Sequence, residues 1–376
     1  MVNWMFYALE HLSCVCALGR TNDEVFAGLQ ARSTAGMVPF SSDIPGRTVL
    51  FGAVRGELPE IADDEYNTRT NRLVKLAVEN KRAEFESFVA RYGANRVAVV
   101  LGTSNTGIDE AERHVDAWLD SGAKPDTMRF SEIELGTPSE YLAKLLGVTG
   151  PAYSISTACS SSAKVFPAAR RLIEAGVVDA AIVGGADSRC RFALNGFHAL
   201  GALSQGLCRP LAPDRDGINL GEGVALFTMA RMEGDGQSVC FAGAGETSDA
   251  YHPTAPDPEG HGAAAAMNAA LADAGLLPDD VAYVNLHGTG TPANDAMEMK
   301  ALAQVFPRLA DGVGPMYEST KPFTGHCLGA AGAIEAALCW LKLAAGEVKG
   351  AVLSNSFAFG GSNASIALLR NGPPFF

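Results

Sequence analysis

The feature that most constrains the fold is a repeated order of short apolar runs and helix-compatible stretches. Val97-Ala98-Val99-Val100-Leu101-Gly102 is β-rich and ends in glycine, the pattern of a strand buried on both faces. Residues 152–157 form a second such run. Residues 160–175 follow with Ala163, Phe166, Ala169, Leu172 and Ile173 at helix-compatible positions, and Gly176 is a plausible stop. Residues 179–185 return as a strand, so 152–185 reads as one βαβ unit and predicts a parallel sheet. The order recurs later, with 281–286 as a strand, 325–345 as a small-residue helix and 350–354 as a strand. Cys159 precedes the run Ala181-Ile182-Val183 by about 24 residues, and His326 precedes Ala351-Val352-Leu353 by about 26. This echo divides the chain into two α/β halves, 1–240 and 241–376, with Gly234-Asp235-Gly236 as a hairpin or connector between them. No long linker or low-complexity segment separates them, which predicts one compact body.

Composition sets the outer limits. A chain of 376 residues that is 47% hydrophobic can bury a large core. Its net charge of −13 disfavours general binding to nucleic acid. The eight cysteines form no Cys-x-x-Cys pair, so they read as buried small apolar residues in a reduced, cytoplasmic setting. The apolar N-terminal stretch is interrupted by Glu10 and His11 and follows no basic segment, which predicts a first strand and its turn rather than a leader. No run of 18 apolar residues predicts a membrane span.

Three segments put a reactive side chain beside small residues: Ser156-Thr157-Ala158-Cys159-Ser160-Ser161-Ser162, His287-Gly288-Thr289-Gly290-Thr291-Pro292 and Lys321-Pro322-Phe323-Thr324-Gly325-His326. A thiolate is a strong nucleophile, but an ordinary thiol is mostly protonated at neutral pH. Cys159 falls where a strand is expected to turn into a helix, whose N-terminus favours the anion and whose free amides can hold an oxyanion. A buried structural cysteine is the plainer alternative. His287 falls at a strand's carboxyl end, where parallel α/β sheets place their ligands. Either histidine alone reads as structural; the two together with Cys159 point to a cysteine enzyme that works on acyl groups. The expectation includes no metal.

These segments, together with Asn-Ser-Phe-x-Phe-Gly-Gly-x-Asn at 355–363 and Arg209-Pro210, Arg215-Asp216-Gly217 and Gly221-Glu222-Gly223, resemble the motif set of β-ketoacyl-acyl-carrier-protein synthases of the Cys-His-His type. The resemblance implies an α/β thiolase-like fold, two βαβαβαββ halves about a pseudo-twofold, layered α-β-α-β-α and dimeric, as a homodimer or with a related subunit. It implies that Cys159 takes an acyl chain from acyl carrier protein, and that His287 and His326 promote decarboxylation of a malonyl thioester and stabilise the enolate. Lys321 would be electrostatic, paired with Glu335, with Asp295 and Glu298 in the same polar shell. Thr289 and Thr291 would hold the phosphopantetheine arm, the substrate carrier of an enzyme with no tightly bound cofactor. The amides of Cys159 and Phe359 would form the oxyanion hole, with Phe359 as a gate and Phe357 beside it; ordinary core packing is the alternative for both rings.

The chain departs from the family in places. Ala358 stands where many members have glycine, the segment 202–210 is short and lacks a basic residue after Ala-Leu-Ser, and the first strand lacks its usual glycines. These differences point to a polyketide or aryl polyene pathway about as strongly as to fatty acid elongation. Carrier docking needs cations, and Arg69, Arg72 and Lys75 form a dense basic run with Lys81 and Arg82; Lys124 and Arg129 are a second possibility. Among rivals, a non-catalytic heterodimer partner typically lacks the cysteine, a degradative thiolase carries a second cysteine near the C-terminus, and a starter-unit synthase has asparagine in place of His326. A cysteine hydrolase would need a clear orienting partner for its histidine.

Overall fold

The computed structural model describes residues 6–41, 44, 48–232 and 238–371. The expected connector Gly234-Asp235-Gly236 lies outside them. The strands are β1 (Tyr7–Val15), β2 (Met37–Ser41), β3 (Thr48–Gly52), β4 (Val97–Gly102), β5 (Ala152–Ile155), β6 (Ala180–Asp187), β7 (Leu220–Gly221), β8 (Gly223–Arg231), β9 (Ser238–Ser248), β10 (Val281–Asn285), β11 (Met316–Glu318), β12 (Ala351–Phe357) and β13 (Ser362–Asn371).

Ten of them form one sheet in the order β11-β10-β12-β13-β9-β1-β8-β6-β4-β5. Taken from its outer edge, each half of that sheet runs third, second, fourth, fifth and first strand in chain order. The directions match as well. β4 is parallel to β5 and β6 while β8 runs antiparallel, and β10 is parallel to β11 and β12 while β13 runs antiparallel. The halves meet where β1 pairs antiparallel with β9, at Tyr7–Phe241 and Ala8–Cys240. This is the pseudo-twofold of a thiolase-like fold.

The sheet is therefore mixed, which corrects the expectation of a parallel one. β5 and β6 do not pair with each other but flank β4, and the last strand of each half, β8 or β13, runs against the other four.

Strand alternation builds the layers, because successive side chains point to opposite faces. Val97, Val99 and Leu101 face an outer layer that includes the helices Arg69–Asn80 and Thr137–Leu146, while Ala98 and Val100 face inward. The helices Val165–Glu174 and Ala331–Ala344 occupy the middle and touch strands of both halves. The helices His261–Ala274 and Pro292–Val305 cover the other outer face. Both faces being covered explains why the strands read as near-continuous apolar runs.

Two expected helices start later than predicted. The first begins at Val165, after a turn, and the second at Ala331. Gly325 at φ +68° and Leu328 at φ +50° break the second before it can form. No helix among the described residues is long and apolar enough to cross a membrane.

Candidate active site

Every reactive residue lies beyond the carboxyl end of a strand. After β5 the chain enters a tight turn in which Ala158 takes φ +52°, a conformation that costs a non-glycine residue about 1–3 kcal/mol. Amide hydrogen bonds from Ser161 to the Ala158 carbonyl (3.1 Å) and from Thr157 to Ser161 Oγ (2.9 Å) hold it. The turn aims Cys159 inward, buried.

The helix expected to follow Cys159 directly starts only at Val165, with a turn over 160–164 between them. Burial pushes the Cys159 thiol up to about 11 against opposition from the Lys321 cation and the amides of Phe359 and of Cys159 itself. Those two amides are the pair expected to form the oxyanion hole. Alkylation of Cys159 by iodoacetamide should therefore accelerate about tenfold per pH unit from 7 to 10, because the thiolate fraction grows tenfold per unit below the pKa. A plateau near pH 8.5 in labelling followed by intact mass would reveal an ordinary thiol.

His287 follows β10. Its amide and that of Gly288 donate to Glu298 (2.8 and 2.7 Å), and those of Gly290 and Leu211 donate to Asp295 (3.1 and 2.8 Å). Both carboxylates thus grip backbone rather than the reacting groups, and burial raises Glu298 to about 7. His326 is held by its own backbone, donating to Asn219 O (2.7 Å) and accepting from the Gly221 amide (2.9 Å). The Leu328 amide donates to His326 Nδ1 (3.2 Å), so the proton of the neutral ring sits on Nε2.

The two rings meet edge-on, with centroids 5.4 Å apart. Burial, then Lys321, and for His287 also His326, hold both imidazoles well below the usual histidine range, so both are neutral at physiological pH. Ligand atoms of Cys159, His287 and His326 all lie within 4.8 Å of one another. Three such donors have the makings of a metal site, but the Lys321 cation bears on all three and opposes a second cation there.

Lys321 is wholly buried, and its Nζ donates to Glu335 Oε1 (2.5 Å) and to the His287 carbonyl. The surface ion pair that its spacing left open is not what the fold builds. Phe357 is buried with its ring inclined at 65° to that of His287 (centroids 6.2 Å), and Phe359 is 38% exposed and stacks on Phe197 (5.6 Å, 26°). Ala358 takes φ −101°, so the alanine carries no strain in this conformation; Gly360 and Gly361 supply the positive φ. Two cavities share Cys159, Phe197, Leu200 and Phe359. One, of about 180 Å³, is also lined by both histidines, Thr289 and Thr291, and the other, of about 270 Å³, by Phe192, Ala193 and Gly196.

The basic run is not a free surface. Arg69 makes a two-pronged ion pair with Glu222 (2.7 and 2.6 Å), whose carboxylate is fully buried and also accepts from the Val54 amide, so its assignment to docking is corrected. Arg72 is half-buried on Asn67 and Lys75 on the Glu60 carbonyl. Lys124 is exposed, and Arg129 is half-buried, bonded to the Asp126 carbonyl. The role of Glu222 escaped sequence reasoning because its partner is 153 residues away.

Two family descriptions match the chain: "Beta-ketoacyl synthase, N-terminal domain" over residues 70–234 and "Beta-ketoacyl synthase, C-terminal domain" over residues 239–352. The 3-oxoacyl-[acyl-carrier-protein] synthase 2 of Coxiella burnetii is 32% identical across 96% of this chain and 97% of its own. Nodulation protein E of a Rhizobium species is 31% identical across 89% and 85%. Among solved structures, a chain from the complex of a ketosynthase (ApeO) with its chain length factor (ApeC) from Xenorhabdus doucetiae is 39% identical, covering 98% of this chain and 99% of that one with a TM-score of 0.90.

Proposed function

The chain belongs to the β-ketoacyl synthase family, and from that membership we propose that it joins a malonyl unit to a cysteine-bound acyl chain by decarboxylative Claisen condensation. The observation that carries the assignment of roles is the meeting of the Cys159 thiol with two neutral imidazoles where two cavities join. In this reading the Cys159 sulfur attacks the acyl thioester carbonyl. The carbonyl oxygen collects negative charge against the Cys159 and Phe359 amides, and the carrier thiol leaves with the proton. A malonyl thioester then enters along Thr289 and Thr291, which hold the phosphopantetheine arm. His287 and His326 donate to its carbonyl oxygen, so the electron pair released with carbon dioxide settles as an enolate. The enolate carbon attacks the acyl-Cys159 carbonyl, the carbon–sulfur bond breaks, and Cys159 recovers a proton. Neutral imidazoles suit this step because each can donate a hydrogen bond without first losing a charge.

The two halves, 1–240 and 241–376, belong to the same reading, supported by their matching strand order; the boundary falls inside β9. The partners are acyl carrier protein and a second subunit. Phe192, which lines the 270 Å³ cavity, is 71% exposed, as a residue meeting another chain would be. The likeness to the ketosynthase–chain length factor complex favours a specialised polyketide or polyene pathway with a related subunit over a housekeeping homodimer. A cytoplasmic setting fits the eight cysteines, all free and buried.

Incubation with malonyl-carrier protein and a panel of saturated and polyunsaturated acyl-carrier proteins, read by intact mass, tests the proposal. The expected result is an acyl adduct on Cys159 followed by a product two carbons longer. No adduct from any acyl carrier overturns it. Reversing Lys124 and Arg129 to glutamate in the same assay should slow acyl transfer from the carrier protein and leave transfer from a free acyl-pantetheine thioester unchanged; an equal rate from the carrier removes both from the docking surface.

A further inference from the structure

Asp187, the last residue of β6, is fully buried and unused by the chemistry above. Its carboxylate accepts from the Thr103 hydroxyl (2.6 Å), the Ser104 amide (3.0 and 3.1 Å), the Ser104 hydroxyl (3.1 Å), the Asn105 amide (2.8 Å) and the Ala330 amide (3.2 Å). The Ser104 hydroxyl oxygen in turn accepts from the Gly329 amide (3.1 Å). A buried carboxylate with this many donors is held by them and holds them.

The donors come from two places: the loop after β4 and the turn at 328–330. That turn carries Leu328 in a left-handed conformation, φ +50°, which a branched side chain disfavours, and the loop carries Thr106 at φ +43°. Leu328 is the residue whose amide donates to His326 Nδ1. The Gly329 carbonyl accepts from the Ser162 amide in the nucleophile turn (3.0 Å). A β-carbon at Gly329 would lie 2.7 Å from the Ser104 nitrogen and 2.8 Å from Asp187 Oδ2, so the turn is pressed against its anchor.

We propose that Asp187 is a positioning residue for His326. It holds the strained turn that aims the Leu328 amide at Nδ1, and so keeps the ring's proton on Nε2, facing the substrate cavity. The inference rests on the condensation reading, because it assigns His326 to the malonyl half of the reaction. Replacement of one carboxylate oxygen by an amide, Asp187→Asn, turns an acceptor into a donor facing donors and should release the turn.

The expected result is a split. Malonyl-carrier decarboxylation falls tenfold or more, acylation of Cys159 stays within about threefold, and the ¹⁵N signals of His326 show Nδ1 gaining proton occupancy. Unchanged tautomer signals together with unchanged decarboxylation overturn the proposal, and so does an equal loss in both half-reactions with the tautomer intact, which marks a merely structural carboxylate. If Asp187→Asn does not fold, Ser104→Ala, which removes the bridge to the Gly329 amide, decides by the same readouts. A wild-type protein that fails to decarboxylate sinks the condensation reading instead, while the tautomer signals still test Asp187.

Discussion

Replacing Cys159 with alanine should abolish the acyl adduct and lower condensation by about a thousandfold or more, the scale of loss when a covalent nucleophile is removed. Loss of carbon dioxide from malonyl-carrier protein should continue, because the groups assigned to it are His287 and His326, whose backbones are fixed by Glu298 and by Asn219 and Gly221 rather than by the thiol. Intact mass reports the first half-reaction and released carbon dioxide the second. Loss of both together would mean that the thiol takes part in decarboxylation and that the division of labour is wrong. Persistence of the adduct in the variant would move the nucleophile to another side chain.

Lys321→Met should destabilise the fold by about 3–5 kcal/mol at neutral pH, the cost of leaving one member of a buried ion pair without the other. Glu335 would be the stranded group, fully buried and already raised by that burial against the pull of Lys321. Without the lysine its folded pKa rises further above the unfolded value. Such a group contributes stability fully below the unfolded pKa and loses it as pH rises, so the deficit should shrink toward pH 4 and grow toward pH 8. Urea denaturation across that range measures it, and Lys321→Met with Glu335→Gln should recover most of the loss. A deficit independent of pH would show that the damage comes from the lost bond to the His287 carbonyl instead. The same substitution removes one of the influences that keep both imidazoles neutral, so the acid limb of the decarboxylation profile should move to higher pH.

Much of the site was legible because its chemistry is written locally. Small residues around Cys159, His287 and His326 mark places where backbone and substrate come close, and strand-like runs ending just before Cys159 and His287 placed those two at the carboxyl ends of strands. What escaped was pairing across distance. Arg69 looked like a surface cation because nothing near it in the chain shows that Glu222 lies opposite. Nothing near Asp187 in the chain marks it, because its donors lie at 103–105 and at 330. The helix starts were placed early because left-handed turns at Ala158 and Leu328 are not signalled by those residue types.

Residue order by itself determined the family, the echo in element order and the candidate reacting groups, because strand and helix patterning and small-residue turns act within a few residues of one another. The tertiary structure alone decided the mixed strand directions, the neutral histidines, the raised thiol and the buried Lys321–Glu335 pair. Strand direction depends on which distant strand lies alongside. A titratable group's charge depends on how much water and which charges remain around it once segments hundreds of residues apart have closed over it.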